Sequence, residues 1–79
     1  MDEKELLEDI DALRKRWREA RGRKLSRKRE LLLQGYDTAS ARHDRLYRDF
    51  QKEQRGLTRR IIHLEKTLNR KRARYEDKG

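Results

Sequence analysis

Cysteine and proline are both absent from this 79-residue sequence, and aromatic residues make up only 6% of it. Without cysteine the chain has no disulfide framework and no thiolate metal site, and an intracellular location, in the cytoplasm, the nucleoid or the nucleus, is the expectation. No apolar run approaches the roughly 18 residues that a membrane-spanning helix needs. The first residues are acidic, unlike those of a signal peptide. We therefore expect neither a membrane anchor nor a secretory leader.

Hydrophobic residues are also few, at 32%, whereas charged residues reach 49%. This is too little apolar material for a conventional globular core, but a proline-free mixture of Leu, Arg, Lys, Glu and Ala is typical of long helices and coiled coils. The sequence predicts an all-α protein with a single domain over residues 1–79. Its net charge of +9 favours contact with polyanions unless the charge is already neutralised within the protein.

Apolar residues in the N-terminal half recur at steps of three and four, at Leu6, Ile10, Leu13, Trp17 and Ala20. Such a heptad pattern predicts a helix with one seam that packs on a partner helix. Beyond Gly22, the apolar residues Leu25 and Leu32 continue the pattern with a shift of one position. The shift predicts a local irregularity, a stutter, at Gly22.

The stretch LLLQGYDTAS marks a turn, since Gly35 is a natural helix C-cap and Asp37 or Thr38 a natural N-cap. A second seam follows the turn with the same steps. Its predicted members are His43, Tyr47, Phe50, Gln54, Leu57, Ile61, Leu64, Leu68 and Tyr75. We thus predict helix 1 over about 2–33, a turn over about 34–38 and helix 2 over about 39–76.

The two seams match when the chain folds back on itself. The predicted pairs include Leu6 with Leu68, Leu13 with Ile61, Trp17 with Leu57, Leu25 with Phe50, and Leu32 with His43. Residues 1–11 are mostly acidic and would lie along a mostly basic stretch, residues 63–74, which favours an antiparallel pairing. An antiparallel coiled-coil hairpin is therefore predicted, with Gly56 leaving room for the Trp17 indole.

Further apolar residues fall beside the seam, namely Leu7, Leu31, Leu33, Leu46 and Ile62. Because one partner helix covers only a narrow stripe, these residues predict a homodimer that forms a four-helix bundle. Docking on a different protein is the alternative.

The positive charge is concentrated in residues 14–60, which hold seventeen bases and six acids. Arginine predominates there, and its planar guanidinium suits phosphate groups. A charged but merely solvated surface is the alternative. The candidate residues for binding nucleic acid or an acidic protein surface are Arg14, Arg18, Arg21, Lys24, Lys28, Arg42, Arg45, Arg48, Lys52, Arg55 and Arg59.

Three functions are compatible with this pattern. The first is binding of RNA or DNA, mostly through phosphates; in composition, residues 13–30 resemble helical arginine-rich RNA-binding peptides. The second is a small adaptor or inhibitor that docks on a partner protein, for example a nucleic-acid-binding enzyme; accessory proteins of phages and mobile elements are often this short. The third is a structural coiled-coil segment.

Catalytic chemistry is not expected, because the sequence has no glycine-rich phosphate loop and no poised nucleophile. The spacing of His43 and His63 does not suit a metal pair, and no cofactor or small-molecule substrate is predicted. Burial in the hairpin is the expected role of Trp17 and His43, although Trp17 could instead stack on a base.

Overall fold

The structure, a computed structural model, describes the backbone of residues 2–77 and the side chains of residues 2–74. It contains three helices: α1 (Glu3–Leu33), α2 (Thr38–Arg42) and α3 (Arg45–Asp77). The long helices α1 and α3 pack against each other in an antiparallel arrangement and form a rod with principal extents of 61 × 18 × 15 Å. The predicted all-helical hairpin is thereby confirmed; the predicted seam residue Tyr75 lies outside the described side chains.

Both ends of α1 are capped, and the glycine at its C-terminal end was predicted. Asp2 is the N-cap, and its carboxylate accepts a hydrogen bond of 2.8 Å from the Glu5 amide. At the other end, the Tyr36 amide donates to the Leu31 carbonyl and the Gly35 amide to the Leu32 carbonyl. This is the Schellman arrangement, and it needs a left-handed residue, a role that Gly35 fills with a φ of 98°. Glycine at this position therefore ends α1 and starts the turn.

After the turn, the structure divides the predicted second helix into two. Asp37 caps α2 by accepting a hydrogen bond of 2.7 Å from the Ser40 amide. The helix then stops at His43, and α3 begins after Asp44, whose carboxylate accepts the Tyr47 amide as an N-cap does. The prediction of a half-buried His43 on the seam was wrong: its side chain is exposed, and Ala41 is buried instead.

In the half of the hairpin far from the turn, the apolar residues meet as predicted. Leu6, Ile10 and Leu68 form one buried cluster, with Leu64 packed against it. Leu13, Ala20 and Leu57 form a second cluster that Trp17 and Ile61 complete. These contacts place residues from early in α1 against residues from late in α3, which is the antiparallel register that the sequence indicated.

Nearer the turn, the predicted stutter at Gly22 was wrong. The three-four spacing continues without a shift through Lys24 and Arg27 to Leu31, which is 4% exposed. Leu25 and Leu32 lie one position off the seam and are exposed. The unshifted register is possible because Arg27 and Lys24 find polar partners across the seam, so that their heads need not reach bulk water.

Gly56 does not make room for Trp17, contrary to the prediction. A β-carbon at Gly56 would have no neighbour within 4 Å, so the residue faces open space. Trp17 is half-buried, and its indole Nε1–H donates to the Thr58 hydroxyl oxygen at 2.9 Å. Of the side positions predicted to be uncovered, Leu7, Leu33, Leu46 and Ile62 are exposed, whereas Leu31 belongs to the seam. Among the helices that the structure describes, none is both long and apolar enough to cross a membrane.

Candidate nucleic-acid interface

The seam divides the surface of the hairpin into two long faces. Because α1 and α3 are antiparallel, the residue that follows each seam position lies on the same side of the rod in both helices. The ion pair between Arg14 and Glu65, at 2.7 Å, joins two such following positions. On the opposite side, Arg23, Glu30 and Leu46 line one groove, and each of them precedes a seam position.

We call the side that carries the residues directly after each seam position the basic face. Between residues 14 and 60, it carries six bases and no acid. Its cations there are Arg14, Arg18, Arg21 and Lys28 on α1, and Arg48 and Arg55 on α3. Exposed apolar side chains lie among them at Leu25, Leu32 and Ile62.

We call the opposite side the balanced face. Over the same span, residues 14–60, its charges are of both signs and nearly cancel. The acids are Glu19, Glu30, Asp49 and Glu53, and the bases are Arg16, Arg23 and Arg60. The two remaining acids of this span, Asp37 and Asp44, are used as helix caps near the turn. The acids are therefore segregated from one face of the rod, and the excess positive charge is concentrated there.

The eleven predicted binding residues do not all lie together. Five are on the basic face without an ion pair in the structure: Arg18, Arg21, Lys28, Arg48 and Arg55. Arg14 shares this face but is paired with Glu65. Arg45, Lys52 and Arg59 lie on the outer surface of α3 between the two faces, and Arg42 lies on α2.

Lys24 is the one predicted binding residue that turns inward. Its ammonium donates to the side-chain oxygen of Gln54 at 2.8 Å and lies 6.0 Å from the centroid of the Tyr47 ring. The side chain is half-buried, so its charge lies in the seam and not on the outer surface.

Sequence reasoning missed a second inward cation, Arg27, which was only counted among the seventeen bases of residues 14–60. The Arg27 guanidinium donates two hydrogen bonds, of 2.9 and 3.1 Å, to the Asp44 carboxylate. A strict continuation of the Leu13, Trp17 and Ala20 spacing would have found it, since three-four steps from Ala20 reach Lys24 and then Arg27.

Arg27 and Asp44 each stabilise the charged form of the other. The hydrogen bonds from Arg27, and then that from the Tyr47 amide, lower the pKa of the Asp44 carboxyl. The same contacts with Asp44, helped by Glu30, raise the pKa of Arg27. Both groups are therefore held in their charged forms, and neither adds free charge to the outer surface.

Trp17 lies at the edge of the basic face, and its indole nitrogen already has a hydrogen-bond partner. The indole N–H is bound to Thr58, and the Arg21 guanidinium carbon stands 5.8 Å from the ring centroid, within cation–π range. Arg21 is thus positioned by the aromatic ring, and its side chain is exposed. Among residues 2–74, no group of three His, Asp or Glu side chains is arranged to hold a metal ion.

Comparison of the chain with protein-family models, with curated proteins and with solved structures found no match.

Proposed function

We propose that this protein is a non-enzymatic helical hairpin that binds the phosphate backbone of nucleic acid through its basic face. One observation carries the proposal: between residues 14 and 60 the basic face holds six bases and no acid, while the acids lie on the balanced face or near the turn. A surface charged only for solubility has no reason to segregate its signs in this way, since interspersed charges serve solubility equally well.

The basic face has the length that backbone binding requires. From Arg14 to Lys28 the α1 cations extend for about 21 Å, at 1.5 Å per residue. Each phosphate that they neutralise releases condensed counterions, so that binding becomes strongly dependent on salt. Arginine supplies most of these contacts, and its fork of N–H groups can bind two phosphate oxygens at once.

The rod is too wide for the basic face to enter the major groove and contact the edges of the bases. With a cross-section of 18 × 15 Å between α-carbons alone, the hairpin is wider than the major groove of B-form DNA, which measures about 12 Å. The long face therefore lies across the grooves and touches sugar and phosphate. We expect affinity with little dependence on base sequence.

A charge-reversal experiment tests the proposal. The variant Arg18→Glu, Arg48→Glu, Arg55→Glu reverses three cations of the basic face, each away from the seam. Its control, Arg16→Glu, Arg23→Glu, Arg60→Glu, makes the same change in net charge on the balanced face. Binding to a labelled mixed-sequence oligonucleotide is measured by fluorescence anisotropy at about 50 mM and about 300 mM salt, and helix content by circular dichroism.

At protein concentrations at which both variants have the same oligomeric state, we expect the basic-face variant to lose binding at both salt concentrations and the control to retain most of it. Equal loss in both variants would show that only net charge matters and would contradict the proposed face. Absence of binding by the unmodified protein at low salt would contradict the function itself and favour a structural coiled coil.

The alternative, an adaptor that docks on an acidic protein surface, is favoured by Leu25, Leu32 and Ile62, which are exposed among the cations of the basic face. Contact with apolar side chains depends little on salt. Under this alternative, one partner protein would remain bound at about 300 mM salt after nuclease treatment. Nucleic-acid binding predicts that nuclease removes every co-purifying component.

We also propose that a second copy of the chain docks on the balanced face. Charge complementarity supports this choice, since acids and bases alternate there, whereas two basic faces would repel each other. The rod is also large enough: a standard interface buries about 800 Å² per partner. Analytical ultracentrifugation should detect a dimer in the unmodified protein, and Arg23→Glu with Arg60→Glu should weaken it. A monomer at all concentrations would contradict this arrangement.

A further inference from the structure

The cations of the basic face form two rows on two different helices. The first row, on α1, contains Arg14, Arg18, Arg21 and Lys28. The second, on α3, contains Arg48 and Arg55, whereas Lys52 and Arg59 lie on the outer surface between the two faces. The packing of α1 on α3 holds the rows at a constant separation, with helix axes roughly 8–10 Å apart. The contacts of Arg27 with Asp44 and of Trp17 with Thr58 lie on either side of Arg48 and Arg55 along the rod, so the two rows run side by side.

No aromatic ring among residues 2–74 is free on this face to stack on a base. Trp17 lines an apolar groove of this face, but it is half-buried, its N–H is bound to Thr58, and the Arg21 guanidinium stands over its ring. Tyr47 is buried in the seam, and Phe50 lines a groove of the balanced face. Tyr36 is exposed, but it lies at the turn and beyond both rows. Proteins that hold single strands depend on exposed aromatic platforms, and the basic face has none.

We infer that the basic face takes a double-stranded nucleic acid and holds phosphates of both strands, one strand for each row of cations. This inference rests on the proposed function and specifies its ligand. A duplex offers two rows of phosphates at a set separation, which a rigid pair of helices can match with little loss of entropy. A flexible single strand would have to be ordered on the surface, and no base stacking compensates for that cost.

The electrostatic advantage of the duplex can be estimated. The logarithm of affinity falls with that of salt by about 0.9 per phosphate contact for a B-form duplex and about 0.7 for a single strand. With five contacts the two slopes differ by about 1, so that, for equal affinities at 1 M salt, the duplex binds about tenfold more tightly at about 0.1 M salt. Preorganisation of the two rows acts in the same direction.

The experiment compares a mixed-sequence duplex with each of its two strands, at equal phosphate concentration and in the same salt series. We expect the duplex to bind at least about tenfold more tightly. Fluorescence of Trp17, the only tryptophan of the chain, is recorded in the same titrations and should change little on binding. Stacking of bases on the indole would quench it.

Single substitutions test whether both rows take part. Arg18→Ala removes a cation of the α1 row and Arg55→Ala one of the α3 row; each should reduce the salt slope for the duplex by about one. Lys15→Ala, on the outer surface of α1 away from both faces, is the matched control and should leave the slope unchanged.

The inference is overturned if a single strand binds as tightly as the duplex, if Trp17 fluorescence is quenched by the strand it prefers, or if only one row affects the slope. These results would leave the proposed function intact, because the oligonucleotide would still bind through the basic face. Failure of all three nucleic acids to bind at low salt would instead contradict the proposed function.

Discussion

The two halves of the hairpin use different chemistry in the same seam. In the open half, which contains both chain termini, the seam is made of leucine, isoleucine, alanine and one tryptophan in two buried clusters. In the turn half, Lys24, Arg27 and Gln54 occupy seam positions beside the buried Leu31 and Tyr47, with polar contacts to one another or to Asp44. Both halves keep the same three-four spacing, so helix pairing tolerates a polar layer where each polar group has a partner.

This difference indicates a division of roles. Apolar burial in the open half supplies most of the favourable free energy, because it removes large side chains from water. The polar layer contributes less net energy, since its groups lose hydration when they pair. Its hydrogen bonds form in one register only, however, and that register directs the other cations of the turn half outward to the two faces.

The largest expected effect comes from the open half. Leu57 is 4% exposed and lies in the cluster with Leu13 and Ala20. Leu57→Ala should lower the free energy of unfolding by about 2–5 kcal/mol, as measured by urea denaturation followed by circular dichroism. Leu33→Ala, at a side chain that is 81% exposed, is the control and should change it by less than about 0.5 kcal/mol. Equal effects would mean that Leu57 is not a core residue.

A smaller and local effect is expected at Asp44, which both pairs with Arg27 and caps α3. Asp44→Ala removes both contacts, whereas Asp44→Asn keeps a good capping side chain and loses only the charge. We expect hydrogen exchange at the Tyr47 amide to accelerate more in the alanine variant than in the asparagine variant. Exchange in the open half should stay unchanged; acceleration there would show that the two halves do not behave separately.

Acid should loosen the turn half through the same residue. Because the pKa of Asp44 is lowered in the folded protein, its contribution to stability is present above the unfolded value, about 3.9, and is lost as pH falls through the folded pKa. Protection of the Tyr47 amide should therefore decline below about pH 4, and Asp44→Asn should remove this component. An Asp44 carboxyl that titrates by NMR at or above its ordinary pKa would refute the ion pair.

The smallest effect concerns glycine, and its sign differs along the chain. A methyl group at Gly56 would meet nothing within 4 Å, so Gly56→Ala should stabilise the helix by about 0.5–1 kcal/mol. Gly35→Ala should instead lower stability, because the φ of 98° strains any residue with a β-carbon. Thermal unfolding of both variants measures the two signs. Destabilisation by Gly56→Ala would indicate an unseen neighbour, such as a second copy on the balanced face.

Much of the fold was predictable because its signals are local or periodic. The three-four spacing from Leu6 to Ala20 and from Leu57 to Leu68 predicted the open half, and Gly35 with Asp37 predicted the turn. The prediction failed where polar residues occupy seam positions. Leucines at positions 25 and 32 suggested a shifted seam, since sequence reasoning assigns apolar residues to the interior before it can count their partners.

The candidate site was predictable as a composition but not as a surface. The excess of arginine in residues 14–60 was evident, and five of the eleven predicted residues lie on the basic face without an ion pair. The sequence did not show which cations form ion pairs within the hairpin, because the partners Arg27 and Asp44 are separated by a turn. The same limitation hid the exposed leucines of the basic face.

By itself, the sequence determined that this protein is helical, that it doubles back at Gly35, and that its middle carries more positive charge than its acids can neutralise. These properties follow from residue spacing, a conformational preference and simple counting, none of which needs distant contacts. Only the tertiary structure decided which cations turn inward and which face of the rod has no acids between residues 14 and 60. Both depend on how the two helices pack against each other across the seam.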